Sequence, residues 1–389
     1  MPLLSGLDAF KSEYYTKYRG SRLGLLSNQA SVDSDLIHAR DIIEGLCPGC
    51  LKALFGPQHG YAGEDQDNMI ETGHSVDRSL RIPIFSLYSS LREPSPDMMD
   101  LIDVLIIDMQ DVGTRVYTFA STMLNCMKAA ALNGKKVVIL DRPNPLGGDI
   151  MEGNLLVPGL YSFVGPWKMP MRHGLTMGEL ALLFNSEFSI GCELEIIELR
   201  GWTRSMLWED TGLIWAVPSP NMPIPDTAYV YPGQVIWEGT NLSEGRGTCR
   251  PFEMFGAPYL DTAKILDSIP EEFLRGCRLR EISFRPTFNK WQDEICKGFM
   301  IHILDKTAYR SFDTAVALLK TIIDIHGKSF KWKEPPYEYE YDKLPIDLIL
   351  GNSAFREAIQ EGRNLFEIKK TWLSEYEEFK ELRRPYLLY

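Results

Sequence analysis

The segment DVLIIDMQDVG, residues 103–113, joins an unbroken apolar run to a cluster of polar residues and a glycine. Four other segments repeat this pattern: RLGLLSNQAS (22–31), LKALFGPQHG (51–60), IPIFSLYSS (82–90) and KVVILDRPNPLGG (136–148). Continuous apolar runs are typical of strands covered on both faces, as in a parallel sheet. Patterns typical of helices separate them, at residues 34–46, 95–102 and 118–134. The alternation predicts an α/β fold with a Rossmann-like, doubly wound parallel sheet.

A second domain is expected, because 389 residues exceed what one hydrophobic core usually serves. We place the boundary near residue 240, where the pattern of strands and helices changes. Residues 1–240 would form the Rossmann-like domain and carry most of a site. Residues 241–389 would form a smaller α/β domain that walls one side of a cleft. The proline-rich stretch at 216–234 is predicted to be part of a long loop.

Composition limits the expected classes of binding partner and the expected cellular compartment. A formal net charge of −12 disfavours nucleic acid and anionic membranes as partners. No apolar run of about 18 residues is present, and the first residues lack the pattern of a signal peptide. Seven scattered cysteines suit a reducing compartment. We therefore expect a cytoplasmic protein acting on a small molecule. The sequence contains no feature that indicates its oligomeric state.

Several catalytic signatures are missing from the chain. There is no P-loop, no G-x-G-x-x-G after the first predicted strand and no G-x-S-x-G elbow. The six histidines form neither H-E-x-x-H nor H-x-H. These absences disfavour nucleotide binding, serine hydrolase chemistry and a metal centre, so no cofactor is predicted.

Polar residues follow each predicted strand at the point where it ends. Asn28, the pair Gln58 and His59, Tyr88, Asp111 and Asn144 occupy these positions. The carboxyl ends of parallel strands meet at one edge of a sheet, where doubly wound folds bind ligands. The pattern therefore predicts a polar site at that edge.

Carboxylates and arginines are frequent in the same loops. Asp111 and Glu244 stand in glycine- and asparagine-rich segments near Arg115 and Arg246, and Arg172 lies in another such loop. Glycoside hydrolysis usually needs two positioned carboxyl groups. Guanidinium groups can hold a carboxylate through paired hydrogen bonds, so the arginines suggest an anionic group on the substrate.

Nine motifs in this order resemble the exo-acting β-N-acetylmuramidases over essentially the whole chain. They are LFGPQHG (54–60), DMQDVGTRVYTF (108–119), LDRPNPLGG (140–148), MRHGLTMGEL (171–180), GWTRSM (201–206), PSPNMP (218–223), EGTNLSEGRGT (238–248), KGFMIHI (297–303) and RRPYLLY (383–389). The resemblance implies a site between two domains and release of N-acetylmuramic acid from the non-reducing end of peptidoglycan fragments. It also implies that an arginine, Arg115, Arg172 or Arg246, binds the lactyl carboxylate of that sugar.

One position departs from the family. Its loop commonly reads FGPEHG, and that glutamate is the leading candidate for the general acid, whereas this chain has Gln58. Three hypotheses follow. Glu64 in the same loop replaces the acid, with His59 orienting it. Alternatively, Asp111 or Glu244 is the acid and Gln58 only binds substrate. In the third, the protein binds a glycan without hydrolysing it, or acts on another substrate.

The predicted site residues come from these motifs, apart from Asn28 and Glu64, which lie outside them. We expect catalysis from Glu64, His59, Gln58 and Asp111. Substrate contacts are predicted for Asn28, Arg115, Tyr117, Asn144, Arg172, His173, Asn221, Asn241, Glu244 and Arg246.

Overall fold

A computed structural model describes residues 3–389 of the chain. Its larger sheet has seven strands: β1 (Leu23–Ser27), β2 (Leu51–Gly56), β3 (Ser75–Val76), β4 (Pro83–Ser86), β5 (Val104–Asp108), β6 (Lys136–Leu140) and β7 (Leu194–Ile197). The strand order is β3-β4-β2-β1-β5-β6-β7. All neighbours pair in parallel except the edge strand β3, which is antiparallel to β4. The predicted Rossmann-like sheet is confirmed, and the chain changes direction across it between β1 and β5.

The second sheet is smaller and antiparallel. It consists of β8 (Met254–Ala257), β9 (Cys277–Phe284) and β10 (Cys296–Ile303), in the order β8-β10-β9. The strands of the two sheets fall on opposite sides of residue 240, although the boundary itself stays a prediction.

Eleven α-helices accompany the sheets in the described part of the chain. They are α1 (Gly6–Ala9), α2 (Ala39–Leu46), α3 (Pro96–Met99), α4 (Phe119–Leu132), α5 (Met177–Glu187), α6 (Pro225–Gln234), α7 (Thr262–Ser268), α8 (Ser311–His326), α9 (Pro345–Leu350), α10 (Ser353–Gln360) and α11 (Leu365–Arg383). None of these helices is long and apolar enough to cross a lipid bilayer.

Local sequence signals explain several helix ends. Helix α4 ends at Asn133, and Gly134 follows with a positive φ of 62°, a conformation that glycine adopts at low cost. Helix α5 begins with a capping box, in which Thr176 and Glu179 each bond the other's backbone N–H. These ends agree with the sequence, because caps depend on neighbouring residues only.

The loop prediction at residues 216–234 is wrong over its second half, which forms helix α6. Pro225 stands at the start of the helix, where a missing N–H costs nothing. Near the other end, the Ser311 hydroxyl donates to the Val230 carbonyl at 2.5 Å, and Gly233 N donates to that hydroxyl at 2.9 Å. Bonds from helix α8 therefore stabilise a helix whose composition reads as loop.

The end of the chain returns to the larger sheet. The Tyr389 hydroxyl donates to Asp141 Oδ2 at 2.8 Å, and Arg383 donates to the carbonyls of His173 and Gly174, each at 3.0 Å. The C-terminal part therefore also packs against the segments that follow β6, in addition to contributing residues to the site described next.

Candidate active site

A polar cavity with about 450 Å³ of space opens beside the carboxyl ends of β2 and β5. Its walls come from segments distant in sequence: the loop after β2, the turn before α4, the segment before α6 and the residues around 338. The lining residues are Gln58, His59, Asn68, Val116, Tyr117, Thr118, Phe119, Val164, Ser219, Asn221, Met222, Tyr231, Glu238, Arg246, Phe252, Tyr337 and Glu338.

The loop after β2 brings Gln58 and His59 to this cavity through a tight turn. His59 and Gly60 both have positive φ angles, 78° and 86°, which is uncommon for a residue with a side chain. The ring Nδ1 of His59 lies 2.7 Å from the Asp65 carbonyl, which can only accept, so Nδ1 carries the proton. Burial, with the charge of Arg246, lowers the pKa of His59 to about 4. The ring is therefore neutral at pH 7, with Nε2 as an acceptor.

Glu238 lines the cavity as an ionised carboxylate. Arg246 Nη2 donates to its Oε1 at 2.7 Å, and the Tyr337 hydroxyl donates to its Oε2 at 2.7 Å. Asn68 Nδ2 approaches Oε2 at 3.4 Å. Burial alone raises the pKa of this carboxyl, but Arg246 and the Tyr337 hydroxyl outweigh burial and lower it.

Glu338 lines the same cavity in a different environment. Gln58 Nε2 donates to its Oε1 at 3.1 Å, and the Tyr88 hydroxyl donates to its Oε2 at 2.6 Å. No cationic group of residues 3–389 pairs directly with it. Burial, reinforced by the charge of Glu238, raises the pKa of Glu338 to about 7 despite these hydrogen bonds.

The two carboxyl groups are therefore set apart by their surroundings. At neutral pH Glu238 is ionised, while Glu338 is divided between its protonated and ionised forms. Paired carboxyl groups whose environments push their pKa values apart are the usual arrangement for an acid and its partner base or stabiliser.

Four buried polar atoms of cavity residues have no hydrogen-bond partner in the described part of the chain. They are the Tyr117 hydroxyl, Asn221 Oδ1, and both Nε and Nη1 of Arg246. Buried polar groups are nearly always hydrogen-bonded in folded proteins. Unused hydrogen-bond donors and acceptors around one cavity indicate a site for a ligand that carries several hydroxyl or carbonyl groups.

Five predicted site residues meet in this cavity: Gln58, His59, Tyr117, Asn221 and Arg246. The other predicted residues lie outside it. Asn28 donates to the carbonyls of Gln110 and Pro218, Asn144 to that of Leu175, and Asn241 to that of Ser329. His173 Nδ1 accepts from Leu175 N, and burial lowers its pKa to about 3.

Two predicted carboxylate-binding arginines are engaged elsewhere. Arg115 donates to the carbonyls of Asn154, Met169 and Ile349 at 2.8–2.9 Å, and burial lowers its pKa to about 9. Arg172 donates to Glu152 at 2.8 Å and to the carbonyl of Leu146. Of the three candidates for the lactyl carboxylate, only Arg246 reaches the cavity.

The three carboxyl groups predicted as the acid, Glu64, Asp111 and Glu244, do not line the cavity. Glu64 is exposed, and its Oε2 accepts a bond from Ala62 N at 3.1 Å. Asp111 is buried but does not line the cavity; Gly113 N donates to its Oδ1 at 2.6 Å, and burial raises its pKa to about 7. Glu244 lies behind Arg246, at 3.3 Å from its Nε, and accepts from Lys290 Nζ at 2.8 Å.

Sequence reasoning missed Glu338 altogether and passed over Glu238. Glu238 begins the motif EGTNLSEGRGT, so its position among glycines was a usable signal. Glu338 lies in PPYEYEYD, where nothing distinguishes one of several acidic residues. Within residues 3–389 no group of three or more histidine, cysteine or acidic side chains is arranged to hold a metal ion.

An α/β fold with two buried carboxyl groups on one cavity wall has the components that a glycoside hydrolase uses. The family model described as exo-beta-N-acetylmuramidase NamZ, N-terminal, matches residues 23–226, and its C-terminal counterpart matches residues 229–389. The chain belongs to the NamZ exo-β-N-acetylmuramidase family.

This chain is similar to known proteins over nearly its whole length. It is 38% identical to the peptidoglycan beta-N-acetylmuramidase NamZ of Bacillus subtilis (strain 168), over 99% of this chain and 91% of that protein. Two crystal structures of DUF1343 family proteins from Bacteroides fragilis NCTC 9343 share the fold. One has a TM-score of 0.89 at 32% identity and the other 0.75 at 28%, each covering 100% of this chain and 99% of the other.

Proposed function

We propose that this chain is an exo-glycosidase that releases N-acetylmuramic acid, or a related amino sugar, from the non-reducing end of peptidoglycan fragments. The observation that carries the proposal is the pair of buried carboxyl groups, Glu238 and Glu338, on the wall of one cavity. A glycosidase of either stereochemical class uses two such groups across the scissile bond. The activity printed for the Bacillus subtilis relative supports the choice of substrate.

The lining of the cavity suits a sugar. Tyr117 and Tyr231 meet edge to face at 5.9 Å, and Tyr231 meets Phe252 in the same way at 4.8 Å. These rings provide an apolar wall for the C–H face of a pyranose, opposite polar groups that can bind its hydroxyls.

Arg246 is the candidate partner for the lactyl carboxylate. Its Nη2 and Nε face Glu238 and Glu244, whereas Nη1 is buried without a partner. One free N–H edge of a guanidinium can still donate to an incoming carboxylate. Lys290, which donates to Glu244, keeps part of the positive charge of Arg246 available for that contact.

The competing hypothesis is a protein that binds the glycan without hydrolysing it. Gln58 motivates it, because an amide stands where the family commonly has a glutamate. Both hypotheses predict binding of the sugar, and only the first predicts a product.

The test is incubation of the purified protein with a disaccharide of β-linked N-acetylmuramic acid on N-acetylglucosamine. Mass spectrometry should find both free sugars, and a disaccharide with N-acetylglucosamine at the non-reducing end should stay intact. Calorimetric binding with no product would support the competing hypothesis instead. If folded protein neither binds nor cleaves the muramic-acid disaccharide, both hypotheses fail.

A further inference from the structure

We infer that Glu338 is the catalytic proton donor of this site and that Gln58 is a positioning residue, held by Thr118, that serves both protonation states of Glu338. The inference rests on the proposed function and assigns a role that Glu64, Asp111 and Glu244 do not fill in this structure.

A chain of hydrogen bonds connects the three residues. The Thr118 hydroxyl donates to Gln58 Oε1 at 2.7 Å, and Gln58 Nε2 donates to Glu338 Oε1 at 3.1 Å. All three side chains line the cavity, and Gln58 and Glu338 are 7% and 4% exposed. Glu338 is thus placed beside the position at which the family commonly has its own acid.

An amide suits this place because it carries a donor and an acceptor. With Glu338 ionised, Gln58 donates to it and accepts from Thr118, as observed. If Glu338 is protonated on Oε1, the amide can turn over, accept the carboxyl proton on its oxygen and donate to the Thr118 hydroxyl. No partner is lost in either state, because a hydroxyl can both donate and accept.

Charged and titratable groups around Glu338 favour retention of a proton at neutral pH. Tyr88 contacts it from the segment after β4, Glu238 repels its ionised form, and Arg246 acts in the opposite direction at longer range. From the loop after β2 the nearest groups are Gln58 and the sulfur of Met69, which lies 3.4 Å from Glu338 N. None of these contacts places a cation directly on the carboxyl.

The proposed step balances as follows. The Glu338 carboxyl gives its proton to the glycosidic oxygen while the bond from that oxygen to C1 breaks, and the bonding pair stays with the oxygen. The leaving sugar departs with a free hydroxyl. Water supplies the new hydroxyl on C1, and the proton that the water loses replaces the one that Glu338 gave. Glycoside and water thus yield two sugars, and the protein is unchanged.

The first experiment compares two leaving groups in Glu338→Gln. Cleavage of the muramic-acid disaccharide, whose leaving group needs a proton, should fall by about 10²–10⁴-fold. Cleavage of the dinitrophenyl β-N-acetylmuramide should fall far less, because dinitrophenolate leaves without one. Glu253→Gln is the matched control: Glu253 is buried and accepts from Thr227 and Arg250, but does not line the cavity. It should cleave both substrates at the rate of the unchanged protein.

The second experiment follows the pH profile of kcat/KM on the disaccharide. The unchanged protein should lose activity above about pH 7, the pKa of Glu338, because the donor is then ionised. In Gln58→Glu, two carboxyl groups would face each other across a contact that is 3.1 Å long in this structure. They would share a proton, so the alkaline limb should move to higher pH.

The outcomes separate the two proposals. Absence of product from both substrates with the unchanged protein overturns the proposed function, and the role of Glu338 with it. An active protein whose Glu338→Gln variant cleaves the disaccharide normally, or loses both substrates equally, overturns only the role of Glu338. An alkaline limb that stays in place in Gln58→Glu overturns the positioning role of Gln58.

Discussion

Two buried arginine–glutamate pairs differ in what surrounds them. Arg172 donates to Glu152 at 2.8 Å and to a backbone carbonyl, and the second oxygen of Glu152 accepts from Phe312 N at 3.1 Å. Arg246 donates to Glu238 at 2.7 Å, but one of its terminal nitrogens is buried without a partner and the pair faces a cavity. Both arginines are almost fully buried, at 3% and 5% exposure.

The difference shows that burial and charge do not mark a site by themselves. The Arg172 pair joins the segment after β6 to helix α8. Both terminal nitrogens of Arg172 donate to protein acceptors, although its Nε is buried without a partner. The Arg246 pair includes a buried terminal guanidinium nitrogen without a hydrogen-bond partner. A second carboxyl group, Glu338, lies on the wall of the same cavity. What distinguishes the Arg246 pair is therefore a terminal nitrogen without a partner at a cavity that also holds a second carboxyl group.

The largest effect is expected from Glu238→Gln. It removes the ionised carboxylate from the cavity, so kcat/KM on the disaccharide should fall by about 10³-fold or more. Because the charge of Glu238 helps to raise the pKa of Glu338, the alkaline limb of any residual activity should move to lower pH. Steady-state kinetics between pH 5 and 9 would measure both effects. Normal activity would show that Glu238 is a structural partner of Arg246, like Glu152 for Arg172.

Arg172→Met should show the reverse of Glu238→Gln. It should lower the free energy of unfolding strongly and change the kcat/KM of the folded protein little. It leaves Glu152 buried without a cation, which costs about 3–5 kcal/mol in other proteins. Urea unfolding should show that loss, and the double variant with Glu152→Gln should recover part of it. A folded Arg172→Met protein with a raised KM for the muramic-acid disaccharide would instead restore Arg172 as a substrate contact.

The arginines illustrate how far the sequence could be interpreted. Arg115 and Arg246 both follow glycine-rich or polar loops, and both are buried. What separates them is the set of acceptors around each guanidinium: three carbonyls for Arg115, two carboxylates and an open edge for Arg246. Those acceptors come from distant segments, so no local pattern predicts them.

The fold was far more predictable than the site. Strands β1, β2, β5 and β6 are almost entirely buried, so each is a continuous apolar run that can be recognised without its neighbours. Gln58 and His59 were found because the end of β2 delivers them to the sheet edge. The contact between Gln58 and Glu338 spans 280 positions and exists only after the chain has folded.

The smallest effect is expected from Glu64→Gln, the substitution that tests the acid predicted from sequence. The Glu64 carboxylate is exposed and bonds only the nearby Ala62 N in the structure, so its charge contributes little to stability. We expect kcat/KM to stay within about twofold, which corresponds to about 0.4 kcal/mol. The loop that carries Glu64 also covers the cavity, since Asn221 bonds the carbonyl of Gln66 at 2.6 Å and Asn68 reaches Glu238.

That position makes the variant informative in both directions. If substrate moved this loop inward, Glu64 could approach the glycosidic oxygen, and Glu64→Gln would then lose disaccharide cleavage but keep dinitrophenyl glycoside cleavage. Glu64→Gln would in that case show the selective loss of disaccharide cleavage that is expected of Glu338→Gln. Measured side by side, the two glutamine variants assign the proton to one carboxyl, because the isosteric amide keeps the shape of each side chain and removes only its acidity. Unchanged activity in Glu64→Gln with a selective loss in Glu338→Gln would assign the acid to Glu338, which contacts Gln58 of the loop that identifies the family.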